Sequence, residues 1–160
     1  MKTIYLQKNN YLSIKLTIIL LFVYSFSFSQ TDSCAFFGNK PIFPYYYPTS
    51  PSNGKDFYTV KKEFYKNITA KTNFSGIVTI NFFINYNGET DFYNTQLCDL
   101  NYQPLNITND TELLCSEILK AVKQTAPWKP SLDDKQNPIN SRKFYSFRFN
   151  NGTLIEILPK

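Results

Sequence analysis

A chain with no histidine lacks the commonest general base, the usual partner of a nucleophilic serine and the commonest zinc ligand. Catalysis would fall to carboxylates or a thiol. The one adjacent acidic pair, Asp133-Asp134, lies in a polar stretch beside Lys135, where a solvated turn explains it. Cys98 and Cys115 are too far apart for a metal knuckle. These residue types point away from an enzyme, a metal centre or a cofactor, so the chain is read as non-enzymatic. Trp128, the single tryptophan, sits between Pro127 and Lys129-Pro130. Tryptophan serves as a binding anchor at interfaces, but just past an amphipathic helix it more simply closes a core.

Lys2, Lys8 and Lys15 precede an apolar run from Leu16 to Tyr24, and the small residues Ser27 and Ser29 flank Phe28 before Gln30. This is the build of an export signal over residues 1–29. The apolar run is shorter than the ~20 residues of a membrane span, so membrane contact is expected only if the signal stays uncleaved. Beyond those three lysines the chain has fourteen basic and twelve acidic residues, a net +2, and a nucleic-acid partner loses its electrostatic argument. Roughly 130 remaining residues suffice for one small domain with one core.

Export implies an oxidising compartment. A Cys98–Cys115 bridge, closing a loop of about 17 residues, would contribute ~3 kcal/mol there; two small buried thiols explain the same residues equally well. Cys34 stands outside that pair, and Thr31-Asp32-Ser33 before it places a charge where a lipid anchor wants small apolar residues.

From residue 30 to 56, Pro41, Pro44, Pro48 and Pro51 punctuate Phe43 and Tyr45-Tyr46-Tyr47. Closely spaced prolines fit neither a helix interior nor a central strand, so an extended linker is expected. Its tyrosines can stack on a sugar or pack on the domain surface. Phe57, Val60, Phe64 and Ile68 then share one face of a helix expected over 56–71, with Lys61, Lys62 and Lys66 turned away from it. From Gly76 to Tyr86 the residues Val78, Ile80, Phe82, Ile84 and Tyr86 alternate with polar ones, the pattern of a half-buried strand. Asn87-Gly88 predicts a tight turn into an antiparallel partner, Glu89 to Leu97. A second helix is expected over Asp110 to Gln124, opened by an Asn109–Glu112 capping box, carrying acids at its start and lysines near its end, and stopped by Pro127. A final hairpin follows: Ser141 to Phe149, a turn at Asn151-Gly152, and Thr153 to Leu158. The expected fold is α+β, a two-layer sandwich of two helices on a small antiparallel sheet over 57–160, with Ile80, Phe82, Ile118 and Val122 in one core.

The segment from Gly76 to Phe149 joins an apolar strand opened by glycine, a glycine turn, an acid-started helix, Ala126-Pro127-Trp128-Lys129-Pro130 and a closing aromatic strand, Phe144-Tyr145-Ser146-Phe147-Arg148-Phe149. In that order the pieces resemble the C-terminal domain of TonB, the periplasmic protein that links an inner-membrane motor to outer-membrane receptors. The resemblance covers a little under half of the chain. It implies a bacterial envelope protein, which leaves the sequons at Asn67, Asn73, Asn106, Asn109 and Asn151 as chance matches. It also implies that Trp128 is mainly structural, and that a receptor segment adds as an extra strand to Ser141–Phe149, flanked by Lys143, Phe144, Tyr145, Phe147 and Arg148. Two departures qualify this. Thr153 to Leu158 is placed to cover that same edge, and a linker of about 25 residues reaches at most ~90 Å, short for coupling to a motor. The expectation is a periplasmic, protein-binding module that contacts an envelope or outer-membrane protein segment, or a secreted or surface-associated structural protein that keeps the fold alone. In the first reading, removing Thr153 to Lys160 uncovers the receptor edge and strengthens peptide binding.

Overall fold

The computed structural model describes residues 33–43 and 51–159. The expected export signal and the Tyr45-Tyr46-Tyr47 cluster lie outside the described residues. The chain divides after Ala35 into two units, and the account below concerns the unit that begins at Phe36. Its elements are the end of a five-residue helix α1 (Ser33–Phe37), β1 (Ile42–Phe43), α2 (Phe57–Asn67), β2 (Gly76–Ile84), β3 (Thr90–Cys98), β4 (Pro104–Leu105), α3 (Asn109–Lys123), β5 (Ser131–Leu132), β6 (Pro138–Asn150) and β7 (Thr153–Leu158).

Helix α2 starts where Asp56 caps it: Oδ1 accepts from Thr59 N at 2.9 Å and Oδ2 from the Thr59 hydroxyl at 2.8 Å. It stops at Asn67, four residues short of the expected end, and Ile68 N closes the last turn on Phe64 O. Helix α3 begins one residue earlier than expected, at Asn109, and ends one residue earlier, at Lys123. Thr108, rather than Asn109, is the N-cap, and Thr111 rather than Glu112 completes the box, its Oγ1 accepting from Thr108 N at 2.9 Å. A hydroxyl at each position serves because both groups act over one short turn.

Both helices cover one face of the sheet. Val60 and Phe64 of α2 and Leu114, Cys115, Ile118, Ala121 and Val122 of α3 form a single core with Val78, Ile80, Phe82 and Ile84 of β2 and with Tyr145, Phe147 and Phe149 of β6. The period-two alternation in β2 and β6 lines these residues up on the same side as the helical stripes. Trp128 is buried in the same core, edge-on to Phe82 at 5.7 Å between ring centres. The sheet order is β1-β6-β2-β3-β4, with β5 and β7 also pairing β6. The sheet is mixed, not purely antiparallel, because β1 runs parallel to β6. Its other face is left to the N-terminal segment, where Phe36 and Phe37 pack on Phe83 and Phe92. The stretch expected as a linker is therefore partly built into the domain. Phe36 is buried, β1 joins the sheet, and Ser52 exchanges two backbone hydrogen bonds with Lys129.

Three loops repeat one device. At Asn85–Glu89, Asp99–Gln103 and Asp133–Asn137 the first residue's N–H donates to the fifth residue's carbonyl, and the fourth residue's N–H donates back to the first. In each, the side-chain Oδ1 of the first residue accepts from the third and fifth N–H groups at 2.8–3.0 Å. The fourth residue, Gly88, Tyr102 or Gln136, has positive φ. This is a three-residue hairpin loop nucleated by an Asx side chain. It corrects the expected two-residue turn at Asn87-Gly88. Because Asn85 already belongs to the loop, β2 ends at Ile84 and Tyr86 is not a strand residue. The Asn151-Gly152 turn is a two-residue one, with Asn150 opposite Thr153 and both central residues at positive φ.

Candidate interaction surface

β6 is paired continuously along one side and at its two ends along the other. β2 runs along one side from Ser141 to Phe149, while on the other β1 takes Asn140 and Ser141 and β7 takes Ser146 to Asn150. Of the residues expected to flank an incoming peptide, Phe147 and Arg148 are paired with Ile157 and Glu156 of β7. Phe147 and Tyr145 point into the helix-covered core. Lys143 lies on that same face, its ammonium 5.7 Å from the Trp128 ring and 5.8 Å from the Tyr145 ring. Burial pulls the Lys143 pKa down and pushes the Tyr145 phenol up to about 12. Phe144, on the opposite face, is half-buried, and both Lys143 and Phe144 are engaged with other groups. β7 takes the β6 ladder at Phe147 and Arg148 alone among these positions.

The covering strand is integral to the domain. Ile157 is wholly buried in the common core, and Leu154 packs against it. Removing Thr153 to Lys160 would open that core as well as the β6 edge, so the expected gain in peptide binding on truncation does not fit the packing.

Among the described residues nothing pairs with the outer side of β7. This strand, Thr-Leu-Ile-Glu-Ile-Leu, has neither lysine nor proline, two residues that blunt an edge, and a single charge at Glu156. Ile155 and Leu158 are 50% and 39% exposed. Ile155 is the extra residue of a β-bulge, since Arg148 faces Glu156 while Phe149 faces Leu154. The other outer strand, β3, also carries a bulge, at Phe92, and β4 covers its last two residues.

On the helix-free face, side chains line up across strands. The Thr79 and Ser146 hydroxyls are 2.8 Å apart, and Arg142 donates to Asn81 Oδ1 at 2.9 Å. A groove of about 170 Å³ runs over this face, bounded by Ile77, Cys98, Tyr102, Arg148, Glu156 and Leu158. The Arg148 Nη1 to Glu156 Oε2 distance is 3.8 Å, an ion pair without a hydrogen bond.

The other singled-out residues have structural places. Cys98 and Cys115 are unbridged thiols, Cys115 in the core and Cys98 at the groove; burial raises both pKa values, with the Asp99 charge adding to it at Cys98. The bridge left open by the sequence is not formed. Asp133 holds its own loop through Lys135 N, Asn137 N and Asn137 Nδ2, and these bonds, the one from Asn137 N foremost, lower its pKa. Lys62 and Lys66 are exposed and Lys61 is half-buried. Among the described residues no three of Cys, Asp and Glu converge. The groove and the β7 edge escaped sequence reasoning because they depend on which strands become neighbours. The one signal for them is the largely apolar last strand, without lysine or proline.

No family model, curated protein or solved structure matches the chain.

Proposed function

We propose that this chain is a non-enzymatic protein-binding module of the cell envelope, of the TonB C-terminal class, that takes an extended segment of an envelope or outer-membrane protein as an added strand. The site moves outward by one strand relative to the sequence-based expectation: β7 occupies the β6 edge from Ser146 to Asn150 and presents its own. The observation that carries this reading is the outer side of β7, which no described residue pairs, with Ile155 and Leu158 exposed and no lysine or proline in the strand. Main-chain hydrogen bonds at such an edge are worth ~0.5–1.5 kcal/mol net each. The bulge at Ile155 leaves Glu156 to Leu158 as the regular stretch, so binding is weak.

The same bulge favours a second reading, a secreted or surface-associated structural protein that keeps the fold without transduction, because bulges keep foreign strands off an edge. Amide chemical-shift mapping of the whole chain against a TonB-box-like peptide decides between them. Shifts concentrated on Thr153 to Leu158, and lost in Ile155→Pro, support strand addition. No shift at any peptide concentration supports the structural reading. The mature amino terminus, read by mass spectrometry on the envelope fraction, tests the export signal separately.

A further inference from the structure

We infer that the groove on the helix-free face selects the partner strand by charge, favouring a segment with a lysine or arginine opposite Glu156 and an apolar residue two positions away opposite Leu158. This rests on the β7 reading above and gives it a partner of stated chemistry.

Side chains of an added strand alternate faces, so positions two apart share one side. Glu156 and Leu158 are such a pair on β7, and both line the groove. The register fixes that face. Glu156 is opposite Arg148, and Leu158 opposite Ser146, whose hydroxyl meets Thr79. Residues added outside β7, in either direction, would stand directly opposite these two, where cross-strand side chains interact most strongly.

Glu156 remains available to such a neighbour. Its nearest cation, Arg148 Nη1, is beyond hydrogen-bonding distance at 3.8 Å, and its side chain is 34% exposed. A cation on the added strand would complete a row of alternating charge, Arg148, Glu156, then lysine or arginine. An acidic residue there would face Glu156 directly, the arrangement that destabilises sheet pairs. Leu158 stays 39% exposed, with buried Ile77 lining the groove beyond it, so an apolar side chain opposite Leu158 would be partly withdrawn from water.

The test uses the full chain and two short synthetic peptides of alternating threonine and valine, one with a central lysine and the other with a central glutamate, titrated by fluorescence anisotropy. The lysine peptide is expected to bind about two- to fivefold tighter. Glu156→Gln should abolish the difference and Glu156→Lys should reverse it, with circular dichroism unchanged because Glu156 lies outside the core. If both peptides bind equally and neither variant alters their ratio, the charge selection is overturned while strand addition stands. If neither peptide binds any form of the chain, the strand-addition reading itself fails.

Discussion

Ile157 of β7 stands directly opposite Phe147 of β6, and both are wholly buried against the helices. The last strand is thereby part of the core. Ile157→Ala removes buried methyl groups and leaves a cavity, and should cost about 2–5 kcal/mol, read as a lower urea midpoint. Ile155→Ala, at a half-exposed bulge position, should change stability by less than about 1 kcal/mol. Equal losses at the two positions would contradict the packing.

Glycine tolerance should sort by what each turn touches. A Cβ at Gly88 would overlap the Trp128 carbonyl, and one at Gly152 the Thr72 carbonyl, whereas at Gly54 it would meet nothing. All three have positive φ. Gly54→Ala should therefore carry only the left-handed penalty of about 1–2 kcal/mol. Gly88→Ala and Gly152→Ala must also displace backbone, so each should lower the thermal midpoint further than Gly54→Ala does.

The parts of the fold legible in the sequence are those set by period and local chemistry. Val60 and Phe64, Ile118 and Val122, and Ile80 and Phe82 reach one core because helical and strand periods each gather residues on one face. Asn151-Gly152 is legible as a turn because few other dipeptides take two successive positive φ values. The parts that escaped are tertiary. β1, β4 and β5 are two residues each, too short for alternation to register. At Asn87-Gly88 the dipeptide alone signals a two-residue turn, but the Asn85 side chain, two residues upstream, organises a longer loop. The prolines of the partly docked linker predict extended backbone, and extended backbone also suits β1, a short strand beside Asn140 and Ser141. Nothing local announced that partner.

Acid should weaken the fold through its capping aspartates. Asp56 and Asp133 titrate below the ordinary aspartate value, in both cases chiefly because a backbone N–H donates to the carboxylate, from Thr59 and Asn137 respectively. A depressed folded pKa gives stability that is present above the unfolded value near ~3.9 and is lost as pH falls through the lower folded value. The urea midpoint should drop below about pH 4, and Asp56→Asn with Asp133→Asn should flatten that drop. An unchanged acid slope in the double variant would remove these groups as its cause.

Alkali should act through Tyr145. Burial pushes its phenol up to about 12, so the folded state holds the proton more tightly than the unfolded chain, whose phenol titrates near ~10. The stabilisation is complete below that unfolded value and is lost as pH rises through the folded one. Unfolding should therefore set in between about pH 10 and 12, with a late step in phenolate absorbance. Tyr145→Phe should shift that onset upward, although the half-buried Tyr93, whose pKa burial also raises, will retain part of it.

Besides the shared core and the Asn67 Nδ2 donation to Gln124 Oε1 at 3.3 Å, a carboxylate of α3 holds the chain that leaves α2. Glu117 of α3 accepts from Thr69 N at 2.8 Å and Ala70 N at 2.6 Å, just beyond the end of α2. Those two N–H groups follow a helix terminus and have no ladder to join, so the charged acceptor replaces secondary structure there. Glu117→Gln keeps an acceptor oxygen without the charge and should cost about 1 kcal/mol; Glu117→Ala leaves two donors unmet and should cost about 1–3 kcal/mol. Hydrogen exchange separates this from a general loss of stability. The Thr69 and Ala70 amides should exchange faster in Glu117→Ala, while the amides of Val78 and Ile80 in the centre of β2 slow or quicken only with global unfolding. Uniform acceleration across both groups would mean that Glu117 contributes to the whole fold and does not act as a local clasp.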